Sequence, residues 1–195
     1  MKHGTGLIKS FGYSKVADRP LAKLQYIPRE YSIDTGDVMN QGRDNICVPC
    51  SLQSVMTFKE GLKRKDYKVN PFDIFNDRKN QDSKDGMAVI DALDQLVNKY
   101  KLIETYAKCT SSEIARLSLF LDGPLILALP VKSESDTFWK HGTTFGYHAV
   151  CLTGYDTDGF ILKNSWGTQY GYGGYTNISF ADFNRYTVEC WTIIN

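Results

Sequence analysis

A thiol, an imidazole and a carboxamide stand along this chain in an order that suits thiol-based acyl chemistry: Cys47, His148 and Asn164. Such chemistry needs a sulfur with a lowered pKa, a base to exchange its proton, and a third group to orient the ring. Cys47 follows Asp44-Asn45, both good N-cap types, and is expected in the first turn of a helix. Free N–H groups and the dipole at a helix N-terminus favour a thiolate. His148 lies in the strand-like run Gly146-Tyr147-His148-Ala149-Val150, and Asn164 ends the strand-like run Phe160-Ile161-Leu162-Lys163-Asn164. The tight turn Tyr155–Gly159 between those runs predicts a pairing that brings Asn164 beside His148. Gln41 precedes Cys47 by six residues on a loop bearing Gly42. Its side-chain N–H and the Cys47 main-chain N–H are the expected oxyanion donors. A Cys47 thiolate paired with a His148 imidazolium predicts a bell-shaped pH profile.

The elements that must position these groups follow from apolar spacing. Leu52, Val55, Met56 and Leu62 recur at helical spacing after Cys47, with Pro49 in the first turn, where a missing N–H costs least. Residues 63–85 are polar and read as a surface loop with a short turn started by Pro71. A second helix is expected from about Gly86 to Tyr100, buried through Ile90, Leu93, Leu96, Val97 and Tyr100. A third starts at Thr110-Ser111-Ser112-Glu113, a capping-box pattern, and stops at Gly123-Pro124. Beyond it, Leu125–Val131, Tyr147–Tyr155, Phe160–Asn164, Gly174–Ser179 and Thr187–Ile194 read as short strands. Helices first and antiparallel-type strands second predict an α+β fold with the site in the cleft between the halves.

The 195 residues suit one domain of two lobes, with 42% hydrophobic residues to build a core. Lys+Arg 23 against Asp+Glu 22 gives a net charge of +1 without a basic stripe, so nucleic acid is not an expected partner. No apolar run is long enough for a membrane span, and the opening Met1–Lys9 lacks the apolar core of a signal peptide, which predicts a cytoplasmic protein. Five cysteines do not suit a disulfide scaffold. Cys50, Cys109, Cys151 and Cys190 read as core or loop thiols, and His3 and His141 as solvated. No metal site is expected, because the formal Cys47/Cys50 pair has no second half at zinc spacing. No cofactor motif is present.

Three ordered blocks resemble the papain family of cysteine peptidases over about residues 28–195. They are Gln41-Gly42-Arg43-Asp44-Asn45-Ile46-Cys47, His148-Ala149-Val150-Cys151-Leu152-Thr153-Gly154-Tyr155, and Lys163-Asn164-Ser165-Trp166-Gly167. The resemblance implies a papain-like two-lobed fold: a helical lobe over about 27–122 and an antiparallel, β-barrel-like lobe over about 123–195. It implies Cys47 as nucleophile, His148 as base and acid, Asn164 as orienter and Gln41 as oxyanion donor. Trp166 would shield the His–Asn pair, and Gly86-Met87 would pair with the substrate chain. The implied activity is peptide hydrolysis through an acyl-enzyme on peptide or protein substrates, by a monomer. Two alternatives stay open: an acyl-transfer or amidase enzyme acting on a non-protein substrate, and an inactive binding module.

The chain departs from the family pattern at Val48, where the family has tryptophan, and at Asp44, where it has a disulfide cysteine. The interval from Cys47 to His148 is also short, which resembles bacterial and viral members. A viral member would be associated with a virion or host cell. Residues 1–26 are too short for the family's long helical propeptide and read as an N-terminal arm. The arm carries Leu7, Ile8, Phe11, Tyr13 and Val16, apolar groups for which an unattached tail has no use. Gly4 and Gly6 permit close approach to a groove. The arm is expected either to cover part of the cleft or to patch the surface of one lobe.

Overall fold

The computed structural model describes residues 3–8, 26–63, 70–81 and 86–194. The arm residues Phe11, Tyr13 and Val16 lie outside the described residues, as do 64–69 and 82–85 of the polar stretch. In chain order the elements are β1 (Leu7–Ile8), β2 (Tyr31–Ser32), α1 (Cys47–Lys63), α2 (Pro71–Asn76), β3 (Met87–Ala88), α3 (Val89–Asn98), β4 (Thr105–Lys108), α4 (Ser112–Asp122), β5 (Leu125–Val131), β6 (Gly146–Tyr155), β7 (Gly159–Lys163), β8 (Tyr175–Ser179), α5 (Phe180–Tyr186) and β9 (Glu189–Ile194).

Helix α1 buries Val48, Leu52, Val55 and Met56 on one face. Lys59, on the same helix, is buried too, and its ammonium donates to the carbonyls of Asp122 at 2.5 Å and Ile193 at 3.1 Å. A buried cation is tolerated when its donors are met in this way. The turn expected at Pro71 is a short helix, because the Asn70 side chain accepts from Phe72 N–H and caps it. The helix expected from Gly86 begins later, at Val89, because Met87 and Ala88 are drawn into strand pairing with β1. In α4 the cap is Ser111, which accepts from Ile114 N–H, and Gly123 follows the helix at φ +101°.

One antiparallel sheet runs β4-β9-β5-β6-β7-β8, with β2 against the far end of β6. Its strands alternate between two cores. Ile126, Ala128, Ala149 and Cys151 face α1 and α3 in one. Leu125, Leu127, Leu129, Val150 and Leu152 join Trp139, Leu119 and Phe183 in the other. The second lobe is therefore not the barrel-like closure expected from the sequence. A sheet covered by side chains on both faces has no interior to close around, and β4 and β8 remain its two edges. The α+β class holds. No described helix is long and apolar enough to cross a membrane.

Candidate active site

Cys47 is the first residue of α1 and has no exposed surface. The main-chain N–H groups of Ala149, Gly6, Val48 and Cys47 itself act on its sulfur and favour the thiolate. Ala149 follows His148 on β6, so the strand that carries the imidazole runs directly against the thiol. β6 and β7 pair through Tyr155↔Phe160, and a bulge between Leu152 and Gly154 re-registers them to Cys151↔Lys163. That register delivers Asn164 to His148, with Nε2 and Oδ1 2.7 Å apart. The other ring nitrogen, Nδ1, is buried and has no hydrogen-bond partner. It is the atom left free to exchange a proton with a thiol.

Trp166 stacks on the His148 ring at 4.6 Å between centroids, and the Phe138 ring edge closes a second side at 5.7 Å. The Asn164 Oδ1 also accepts from Ser165 N–H at 2.7 Å. Ser165 in turn donates its hydroxyl to Gln41 Oε1 at 2.5 Å, and its carbonyl accepts from Gln41 N–H. Ser165 thus joins the residue that orients the imidazole to the residue expected to bind an oxyanion. Gln41 Oε1 is fixed by Ser165, so Nε2 points into the cleft.

Gln41 Nε2 donates to the carbonyl oxygens of Gly4 at 3.1 Å and Asp44 at 2.8 Å. Gly4 belongs to the arm, which therefore lies in the cleft. Its N–H donates to Gly42 O, and the His3 ring stacks on Trp166 at 4.7 Å with 9° between planes. Gly6 bridges to Tyr147 and passes over Cys47, and its carbonyl accepts from Met87 N–H at 2.8 Å. β1 then continues parallel to β3, Leu7 against Met87. The passage is glycine-tight: a Cβ on Gly4 would strike the Asp44 carbonyl, and one on Gly6 the Asn45 carbonyl. Gly86 is equally confined, since a Cβ there would strike Gly6.

Cys47 and His148 are both fully buried, and burial works against the charged pair expected from the sequence. Burial pushes the Cys47 thiol up to about 11, although the surrounding N–H groups lower it. Burial pulls His148 down to about 4, against the raising effect of its bond to Asn164. Desolvation at this buried site disfavours both charged forms of the expected thiolate–imidazolium pair. Cys50, one turn further along α1, is buried beside Cys47 and Ser165, and burial raises it to about 12. Cys109 belongs elsewhere: it follows β4 and faces Cys190 and Ser118.

The arrangement brings together Gln41, Cys47, Met87, His148, Asn164 and Trp166. Met87 contributes its main-chain N–H; its side chain is wholly buried in the core. Gly4 and Gly6 approach the cleft as their lack of a side chain suggested, whereas His3, expected to be solvated, stacks on Trp166, and Ser165 was not anticipated as a cleft group. The position next to Asn164 carried the signal for Ser165, and the adjacent glycines were the signal that could have drawn attention to His3.

A buried thiol at a helix start beside a carboxamide-bound imidazole defines the class of thiol-dependent hydrolases. The sequence model of the papain family cysteine proteases matches residues 48–192. The chain belongs to that family and is a peptidase-type hydrolase. No curated protein matches it in sequence. Among solved structures, it resembles xylellain, a cysteine protease from Xylella fastidiosa, at TM-score 0.85 and 16% identity, covering 100% of this chain and 97% of that one. It also resembles a procathepsin B from Trypanosoma congolense, at TM-score 0.78 and 11% identity over 99% and 87% of the two chains. A cysteine protease of Carica candamarcensis aligns at TM-score 0.69 and 16% identity over 87% and 99%. At these identities the likeness is one of fold.

Proposed function

We propose that the protein is a cysteine endopeptidase acting on peptide or protein substrates, held latent by its arm. The carrying observation is that the cleft already grips a polypeptide backbone. A peptide carbonyl, Gly4 O, sits on Gln41 Nε2, and another, Gly6 O, sits on Met87 N–H. These are the two contacts a substrate chain needs: one at the developing oxyanion and one that fixes strand register.

In the reaction, His148 Nδ1 takes the Cys47 proton and the sulfur attacks the carbonyl carbon. Gln41 Nε2 and the Cys47 N–H hold the oxyanion. His148 then protonates the leaving nitrogen, and a thioester remains. Water, deprotonated by His148, attacks the thioester and releases Cys47. Asn164 orients the ring throughout, and Trp166 keeps water from the His148–Asn164 bond.

The imidazole must reach the leaving nitrogen, so the C-terminal half of a substrate lies toward His148 and Trp166. Its N-terminal half lies toward Gly86-Met87. The arm runs the opposite way, from His3 at Trp166 to Leu7 at Met87. A reversed strand meets the same donors without offering its peptide bond in the productive sense. In this reading residues 1–26 are the arm and 27–195 the catalytic domain, with lobes at about 27–122 and 123–195.

The test is cleavage of a fluorogenic peptide library by the full chain, by a chain starting at Leu21, and by Cys47→Ala in both. Hydrolysis that appears on removal of the arm and vanishes in Cys47→Ala is the expected result. Equal turnover with and without Cys47 would exclude the reading.

A further inference from the structure

β4 and β9 run side by side to a last pair of facing residues, and both are cysteines. The register Lys108↔Trp191 continues by one step, with Cys109 N–H donating to the Cys190 carbonyl at 2.8 Å. Opposed residues of a hydrogen-bonded antiparallel pair have Cα atoms about 5.5 Å apart. A disulfide spans roughly 4.4–6.8 Å between Cα atoms. Both side chains project to the same face of the sheet, into the core that holds Leu127 and Phe183. Both thiols are buried there, and Cys109 Sγ donates to Ser118 Oγ at 3.5 Å. Both are reduced.

The pair borders one open space. A cavity of about 190 Å³ is lined by Lys108, Cys109, Thr110, Asn184, Glu189 and Cys190 among others. A small polar oxidant fits such a space, since one water occupies roughly 30 Å³.

We propose that Cys109 and Cys190 are a dithiol site that a hydroperoxide converts to a disulfide in the folded chain. The Cys109 thiolate attacks one peroxide oxygen; the O–O bond breaks, and the departing hydroxide takes up a proton as water. The Cys109 sulfenic acid so formed is attacked by the Cys190 sulfur. The S–S bond forms, the S–O bond breaks, and hydroxide leaves with the Cys190 proton as a second water. Two thiols are oxidised and one peroxide is reduced. Burial raises the Cys190 pKa, so the closing attack by its sulfur is slow at neutral pH and faster in alkali.

The closed loop runs from Cys109 to Cys190 and contains His148 and Asn164 but not Cys47. Oxidation therefore braces the part of the molecule that carries the base, by tying edge strand β4 to β9. Cross-links of this size restrict the unfolded chain most.

The test treats the full folded chain with hydrogen peroxide, blocks remaining thiols by alkylation, and maps peptides by mass. The expected result is a Cys109–Cys190 cross-linked peptide, two hydrogens lighter than the sum of its parts, with Tm raised by about 5–10 °C. Cys109→Ser and Cys190→Ser should each lose the cross-link and the Tm rise. Sulfinic acid on either residue without the cross-link would overturn the proposal. So would a cross-link seen only after unfolding in urea, or one that joins either residue to Cys50 or Cys151. If a variant does not fold, the peptide map of the unaltered chain alone decides the matter.

Discussion

Burial disfavours the charged form of both Cys47 and His148, pushing the thiol up to about 11 and the imidazole down to about 4. A thiol raised to about 11 is a poor nucleophile at neutral pH. Alkylation of Cys47 in the full chain is therefore expected to be slow at pH 7–8 and to rise toward pH 11. In a chain starting at Leu21, the sulfur and ring are hydrated, the ion pair can form, and alkylation at pH 7 should be faster by at least tenfold. Intact mass after timed iodoacetamide exposure measures both. Once the arm is removed, Gln41→Ala is expected to lower kcat by roughly 10²–10³, the usual cost of one oxyanion donor. Asn164→Ala should cost less than Cys47→Ala or His148→Ala, because Asn164 orients the ring and transfers no proton.

The arm and the start of α1 act together at the scale of elements. The arm's backbone reaches Gln41, Gly42 and Met87 only because Gly4, Gly6 and Gly86 carry no Cβ. Gly6→Val places methyl groups against the Asn45 carbonyl and should lift the arm without altering Cys47, His148 or Gln41. The expected result is a full-length chain that hydrolyses a small peptide faster than the unaltered one, with a lower Tm because Leu7 leaves the core. Unchanged turnover with only a lower Tm would mean that the arm stabilises a lobe and does not block the cleft.

For the molecule as a whole, buried titratable groups set the pH range of stability. His148 is lowered from the usual 6.5 to about 4, so between those values the unfolded chain binds a proton that the folded chain does not. Its contribution is complete above pH 6.5 and is lost as pH falls toward 4. Cys47 is raised from 9.0 to about 11, so its contribution is complete below pH 9 and is lost as pH rises toward 11. Cys50 and Cys151, each raised to about 12, extend the alkaline loss. Thermal unfolding from pH 4 to 11 should show a plateau between about 6.5 and 9. The acid limb should flatten in His148→Gln, a variant that keeps a polar group at the site and does not titrate there. An acid limb of the same slope in that variant would assign the loss to other groups.

Much of the site was legible in the sequence, because chemistry constrains residue type more tightly than position. The order Gln41, Cys47, His148, Asn164 and the turn at Tyr155–Gly159 predicted the His148–Asn164 bond, which strand pairing delivers. Apolar spacing placed α1, α4 and the long strands to within a few residues, since each must bury one face. Short elements were lost: β1, β2, β3 and β4 have 2–4 residues each. At that length no period can be read, and only a partner strand makes them strands. Sheet closure was misjudged for a related reason, because alternation along β5 and β6 reports two buried faces and not what lies beyond each. The charge state of Cys47 and His148 was not legible in the sequence, because a pKa belongs to a filled or empty space. Residues 3–8 fill that space from a site remote in the sequence, and this was settled only when the chain folded back over its own cleft.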